Sequence, residues 1–280
     1  MNMKQLLIGS VCCMLMGFGG ASGAVYTFDG WDGITDYFSV NGYAGAYTIG
    51  DGNGLSGTDG VAFTSHTGTA SLVLQTPVAS GGDVSMGIYF QYVTRVNGSG
   101  DYFSLGIGKT ANYVPATTGT NDHIRFLLNH RHTNATELNP ELDEIRLGLQ
   151  VVSNGTQTVN LLGTTAGELT NGNWYHLGYS LTYNEVNETF ALTGQIREAD
   201  ENGVLGNVLL SYSPASFSLP GLVNASEWYG YMSADAFPAN RGLAAMDNFS
   251  MTGEMIPEPG AGLLMLAGLG LTAFARRKAE

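Results

Sequence analysis

Asn173-Trp174-Tyr175-His176-Leu177-Gly178-Tyr179-Ser180-Leu181-Thr182-Tyr183, then Asn184-Glu185-Val186-Asn187, then Glu188-Thr189-Phe190-Ala191-Leu192-Thr193-Gly194-Gln195-Ile196-Arg197, is the stretch that decides the fold. Its large apolar residues fall at every second position, and successive side chains of a strand point to opposite faces. Tyr175, Leu177, Tyr179 and Leu181 therefore share one face, and Phe190, Leu192 and Ile196 make a matching face on the return. The Asn-rich segment between them is turn chemistry, so the whole reads as a long β-hairpin with one buried side.

The same period recurs on either side. Val84, Met86, Ile88, Phe90 and Tyr92 alternate with smaller or polar residues, as do Phe103, Leu105 and Ile107, and Ile145, Leu147, Leu149 and Val151. These read as half-buried strands, one face on the core and one toward water. The run 242–251, Gly-Leu-Ala-Ala-Met-Asp-Asn-Phe-Ser-Met, reads as a closing strand. Clusters of Gly, Asn, Asp, Ser and Thr separate the apolar runs, and no stretch holds a helical period for long. The expectation is an all-β body, residues 25–255, folded as a single antiparallel β-sandwich.

The two ends have different grammar. Lys4 precedes an apolar stretch from Leu6 to Phe18, which the small residues Ala21-Ser22-Gly23-Ala24 close. That is the order of a secretory signal peptide, residues 1–24, with cleavage expected after Ala24. Cys12 and Cys13 lie within it, so the exported body has no thiol for a disulfide or a zinc site. At the other end, residues 256–280, Pro257-Glu258-Pro259 leads into an uncharged run from Gly260 to Ala275 and then Arg276-Arg277-Lys278. As a helix the run would span about 24 Å at 1.5 Å per residue, short of a hydrocarbon core of about 30 Å. The terminal cations would hold it with its far end in the cytoplasm, which puts the body outside, in agreement with the leader. The two prolines keep the segment before it extended and poor in backbone donors.

The Pro257-Glu258-Pro259 triplet, the Gly/Leu-rich segment and the Arg276-Arg277-Lys278 cluster together resemble the PEP-CTERM sorting signal of exported proteins of Gram-negative bacteria. The resemblance covers residues 256–278. It implies export through the Sec translocon, transient anchoring in the inner membrane by the C-terminal helix, recognition at Pro257, Glu258 and Pro259 by an exosortase, and delivery to the cell surface or exopolysaccharide matrix. The Asn-Trp-Tyr-His-Leu strand with its Tyr-Asn turn, and the closing Met-Asp-Asn-Phe-Ser strand, resemble the laminin-G or concanavalin A-like jelly roll. That resemblance implies the jelly-roll form of sandwich.

Lys plus Arg number 11 against 24 Asp plus Glu, a net charge of −13. Removing the ends takes away Lys4, Arg276, Arg277 and Lys278 but only Glu258 and Glu280, so the body carries 7 basic and 22 acidic side chains. Nucleic acid is excluded as a partner, because neutralising phosphates needs clustered cations. Acidity of this degree keeps an exported protein soluble and can supply carboxylates for calcium.

Candidate sites each stand beside a plainer reading. His130 and His132 would share one face of a strand, at a spacing that suits a metal ion or a merely polar strand end; His123 precedes them. Glu141 and Asp143 match two positions of the Glu-x-Asp-x-Glu strand of jelly-roll glycosidases, but Ile145 stands at the third, so a solvated loop before a strand is the better reading. The segment 51–59, Asp-Gly-Asn-Gly-Leu-Ser-Gly-Thr-Asp, with Asp29, Asp32 and Asp247, is a candidate for Ca2+, although turn chemistry explains it equally well. Trp31, Trp174, Trp228, Tyr229 and Tyr231 are candidates to stack on sugar rings. Trp228 faces opposite to Tyr229 and Tyr231, so one set should point away from the core, and these three are the expected ligand-binding residues. The functional expectation is a non-catalytic surface or matrix protein that binds or organises exopolysaccharide. The alternatives are a glycan-cleaving enzyme of the same fold, or a structural or adhesive surface protein with no sugar ligand.

Overall fold

The computed structural model describes residues 22–30, 35, 37–42, 47–50, 52–63, 70–92, 101–111, 122–132, 143–153, 156–166, 169–213, 216–234 and 243–254. Residues 1–21, most of the expected 1–24 signal peptide, and the whole 256–280 tail, with Pro257, Glu258, Pro259, Arg276, Arg277 and Lys278, lie outside them.

Strands are numbered in chain order. The first sheet runs, side by side, β14 (Leu205–Tyr212), β13 (Thr189–Ala199), β12 (Trp174–Asn184), β7 (Val84–Tyr92), β16 (Leu243–Gly253), β4 (Gly60–Phe63) and β3 (Tyr47–Gly50), with β1 (Ser22–Tyr26) also on β16. The second runs β11 (Thr156–Ala166), β10 (Asp143–Ser153), β9 (His123–His132), β8 (Asp101–Gly108), β15 (Glu227–Ala234), β5 (Ala70–Leu74) and β2 (Phe38–Gly42), with β6 (Val78–Ala79) on β15. Each of these pairings is antiparallel. The chain crosses to the second sheet between β7 and β8, returns between β11 and β12, and crosses again for β15 before closing on β16, so strands far apart in sequence lie side by side, as in a jelly roll.

The hairpin read from the sequence is present in its expected register, Leu181 opposite Leu192 and Leu177 opposite Ile196. Its turn is closed by Asn187 N–H donating to Asn184 Oδ1 at 3.1 Å. Tyr175, Leu177, Tyr179, Leu181, Phe190, Leu192 and Ile196 are all buried, as are Val84, Met86, Ile88, Phe90 and Tyr92 on β7. The inner faces of the two sheets share one hydrophobic cluster. In it the Phe90 ring lies 5.8 Å from Tyr175 on its own sheet and 6.2 Å from Phe103 on the other. Phe126 of β9 meets Tyr179 of β12 in the same way, at 5.8 Å. Each such ring contributes about 1.5–3 kcal/mol by leaving water, which is why the alternation fixes the register so firmly.

Helix is scarce. α1 (Pro220–Val223) is a single turn, and among the described residues no helix is long and apolar enough to cross a membrane.

The expectation of half-buried strands needs correction for the second sheet. Ser104 of β8 and Gln150 of β10 point away from the core, yet they are 0% and 4% exposed. They tolerate this because their polar atoms are matched: Ser104 Oγ lies 2.6 Å from Ser233 Oγ, and Arg125 Nε donates to Gln150 Oε1. At the N-terminus, β1 pairs with β16 from Ser22 opposite Gly253 to Tyr26 opposite Phe249. The expected cut after Ala24 would therefore fall inside a paired strand, with Ala24 opposite Met251.

Candidate functional site

The outer face of the first sheet carries the polar half of the hairpin pattern. Cross-strand register sets Trp174 beside Gln91, and one step along sets Arg197, His176, Tyr89 and Asp247 in a row across β13, β12, β7 and β16. The segment 52–59 folds over one end of this face. It makes a 3-10 turn, Leu55–Gly57, with Ser56 at φ 55°. Leu55 tucks its side chain against Trp174 and Ala245, a small apolar cluster separate from the main core.

Asp247 pins that segment. Its Oδ2 accepts from Leu55 N–H at 2.9 Å and from Thr58 Oγ1 at 3.4 Å, and its Oδ1 accepts from Asn248 N–H at 2.6 Å. The carboxylate is 1% exposed, and burial pushes its pKa up to about 6 despite these donors. From the other side, Ser56 donates through N–H and Oγ to the Glu201 carbonyl, at 2.6 and 3.0 Å. Tyr89 Oη donates to the Gly203 carbonyl at 2.9 Å, which ties the 200–204 turn down on the same face.

Between the two straps lies a groove of about 480 Å³, lined among others by Asn53, Gly54, Gln91, Trp174, Glu201 and Asn202. Trp174, 8% exposed and packed against Leu55 and Ala245, borders the space with little free surface; the three carboxamides and the carboxylate can exchange hydrogen bonds with sugar hydroxyls. Gln91 is fixed for the task, with Nε2 donating to the Gly172 carbonyl at 3.0 Å.

The residues singled out from the sequence are dispersed. Trp228 is 0% exposed, its Nε1 donating to the Leu222 carbonyl at 2.9 Å and its ring 5.8 Å from Phe190, so it belongs to the core and stacks on no ligand. Tyr231 points to the outer side of the second sheet but is also 0% exposed, with its hydroxyl donating to the Ile124 carbonyl at 3.3 Å. Both are corrected as ligand residues: each ring has its partners within the protein. Tyr229 is half-buried, and its hydroxyl donates to Glu227 Oε1 at 2.5 Å.

His130 and His132 sit in β9, opposite Ile145 and Asp143 of β10. His123 is buried against Tyr231, 6.3 Å away. Trp31, Asp32, Asp51 and Glu141 lie outside the described residues. Asp29, Asp59 and Asp247 do gather at the 52–59 segment, but Asp29 accepts from Asp59 N–H at 3.1 Å and Asp59 from Gly30 N–H at 3.2 Å. These carboxylates brace the loop, and among the described residues no three His, Cys, Asp or Glu side chains are grouped to hold a metal ion.

Gln91, Glu201 and Asn202 were not readable as site residues. Gln91 looks like any polar position on an alternating strand, and Glu201-Asn202 like any hairpin turn; only the fold brings them to Trp174.

No protein-family model matches the chain, and no curated protein matches it in sequence. In fold outline it is similar to lectin II from Ulex europaeus, 12% identical with a TM-score of 0.47, over 82% of this chain and 98% of that one. A legume lectin-like domain from Entamoeba histolytica is 7% identical with a TM-score of 0.46, over 79% and 91%. The VIP36 exoplasmic/lumenal domain, in a Ca2+/Man3GlcNAc-bound form, is 11% identical with a TM-score of 0.49, over 81% and 89%. These likenesses concern the fold alone, and the two antiparallel sheets facing each other across one core establish the β-sandwich in their own right.

Proposed function

We propose that this is an exported, non-catalytic surface or matrix protein of a Gram-negative bacterium whose sandwich binds exopolysaccharide in the groove beside Trp174. The observation that carries the reading is that groove: Asn53, Gln91, Asn202 and Glu201 gathered beside the largely buried Trp174 on the outer face of the first sheet. The route to the surface is read from the ends. The leader hands the chain to the Sec translocon, the apolar segment within 256–280 holds it transiently in the inner membrane, and an exosortase acts at Pro257-Glu258-Pro259 before release to the envelope or matrix. The acidic body keeps the exported domain soluble and leaves nucleic acid outside its range of partners.

The test is co-elution of the purified chain with the producing cell's exopolysaccharide on a sizing column, with the polymer's mass recorded. Co-elution at unchanged mass, lost in Trp174→Ala, is the expected result. A shortened polymer would make the protein a glycan-cleaving enzyme, and separate elution with intact polymer would make it a structural or adhesive protein without this ligand.

A further inference from the structure

The pairing of β1 bears on where the leader ends. Ser22, Gly23, Ala24, Val25 and Tyr26 lie opposite Gly253, Thr252, Met251, Ser250 and Phe249 in unbroken register. Tyr26 seats the strand on the core, its ring 5.6 Å from Phe38 and 6.1 Å from Phe249. Alternation puts Ala24 on the same side, half-buried opposite Met251, which is 0% exposed. Gly23 and Val25 are on the other side, and both are exposed. At Gly23 a Cβ would stand 3.0 Å from Thr252 Cγ2, tighter than an ordinary contact between carbons. Gly23 and Ala24 are therefore fitted to β16 in register, in direction and in size. Such a fit belongs to chain that folds with β16; a discarded leader has no β16 to fit.

A cut after Ala24 would make Val25 the first residue. Only Val25 and Tyr26 of the five would keep their partners. The new α-amino group, charged at neutral pH, would stand partway along the sheet edge opposite Ser250. On that side Met251 and Thr252 would lose the strand beside them, and a backbone group left unpaired at a buried position such as Met251 is costly.

The sequence holds another cut with none of these consequences. Directly before Ser22 stands Gly19-Gly20-Ala21, which follows the apolar stretch ending at Phe18. Gly19 and Ala21 fill the same two small positions before a cut that Ser22 and Ala24 fill three residues later, and the shorter leader is still within the usual length of about 15–30 residues. A leader peptidase reads the extended chain and accepts either triplet. The folded domain separates them, because only one leaves β1 whole.

We infer that the leader is cut between Ala21 and Ser22, so that the exported domain begins at Ser22 and keeps all five pairs with β16. The inference rests on the leader reading above. The step is hydrolysis of one peptide bond: water gives its hydroxyl to the Ala21 carbonyl carbon and a proton to the Ser22 nitrogen, which leaves as the new terminal amine. Because β16 is the last strand before the 256–280 tail, the retained strand closes the domain at the end from which the tail continues.

The experiment is export of the full chain, with its own leader, in a Gram-negative host, followed by N-terminal sequencing and intact mass of the protein purified from the envelope. Ser-Gly-Ala-Val-Tyr is the expected terminus. Ala21→Leu, which puts a bulky residue next to the expected bond, should remove that terminus and leave uncut precursor or a chain that starts at Val25. Ala24→Leu should leave the Ser22 terminus in place. Both are read by sequencing alone, since the cut is made on the extended chain before it folds. A wild-type terminus at Val25, or at any other residue after Ser22, overturns the inference. So does processing that survives unchanged in Ala21→Leu and fails in Ala24→Leu. A purified chain that still begins at Met1 removes the leader reading along with it.

Discussion

Two serine pairs of the same chemistry sit across neighbouring strands on the outer faces of the two sheets. Ser104 and Ser233 approach to 2.6 Å on the second sheet, and both are buried. Ser85 and Ser180 approach to 2.8 Å on the first sheet, and Ser180 is exposed. Alternation places all four away from the core, yet the second sheet's outer face is sealed around its pair, whereas the first sheet's is covered over Trp174 and Asp247 and open around Ser180. A period of two tells which way a side chain points; it does not tell what waits there. The sealed face pairs Ser104 with Ser233 and Arg125 Nε with Gln150 Oε1, and the other face has the groove, so function is argued for that one.

The largest break in that comparison is between its tryptophans. Trp228→Ala should lower stability by about 3–5 kcal/mol in urea unfolding, as emptying a packed core site does. Trp174→Ala should cost less, because that ring belongs to the small cluster with Leu55 and Ala245 rather than to the main core, while removing exopolysaccharide binding. Equal destabilisation by the two would mean that the groove wall is core.

Next comes pH. Between about 4 and 6.5 the unfolded chain binds a proton that folded His176, held down by burial and then by the Arg197 charge, refuses, so the histidine's contribution to stability is whole above 6.5 and lost as pH falls toward 4. Asp247 runs the other way: its folded carboxyl keeps to about 6 a proton that the unfolded chain releases near 3.8, so its contribution is whole below 3.8 and lost as pH rises to 6. The two slopes oppose each other between pH 4 and 6. Asp247→Asn should expose a stability that rises with pH there, and His176→Gln one that falls, each by up to about 1.4 kcal/mol per pH unit in urea titrations. Parallel profiles for the two variants would refute this pairing.

The serines sharpen the contrast at smaller scale. Ser104→Ala strands a buried hydroxyl and should cost about 1–3 kcal/mol. Ser85→Ala, beside the exposed Ser180, should stay within about 0.5 kcal/mol in the same assay. A similar cost at both sites would mean that the first sheet's outer face is covered there too.

Much of the sandwich was legible in the sequence, because burial of one face imposes strict alternation: β7, β12, β13 and β16 carry it in Val84–Tyr92, Tyr175–Leu181, Phe190–Ile196 and the closing strand. The site was legible in only one wall. Trp174 stood among the aromatic candidates, but Trp228 and Tyr231 looked equally good, since an isolated aromatic on a strand gives no sign of whether loops or the other sheet will cover it. Asn53, Gln91, Glu201 and Asn202 come from three separate parts of the chain, and only register and the two straps bring them together. Asp247 read as a calcium candidate; its second role, accepting from Leu55 N–H as the peg of the loop, depends on a contact between residues 192 apart in sequence and had no signal there.

The central claim is that the first sheet's outer face holds the glycan beside Trp174. The most direct measurement is the indole N–H signals of isotope-labelled protein during titration with oligosaccharides cut from the producing cell's exopolysaccharide, with the Trp174 signal identified by its absence in Trp174→Phe. The account predicts that the Trp174 signal moves and saturates while the Trp228 signal, tied to the Leu222 carbonyl, stays in place. A Trp174 signal that does not move at saturating oligosaccharide, with the protein folded, would contradict it.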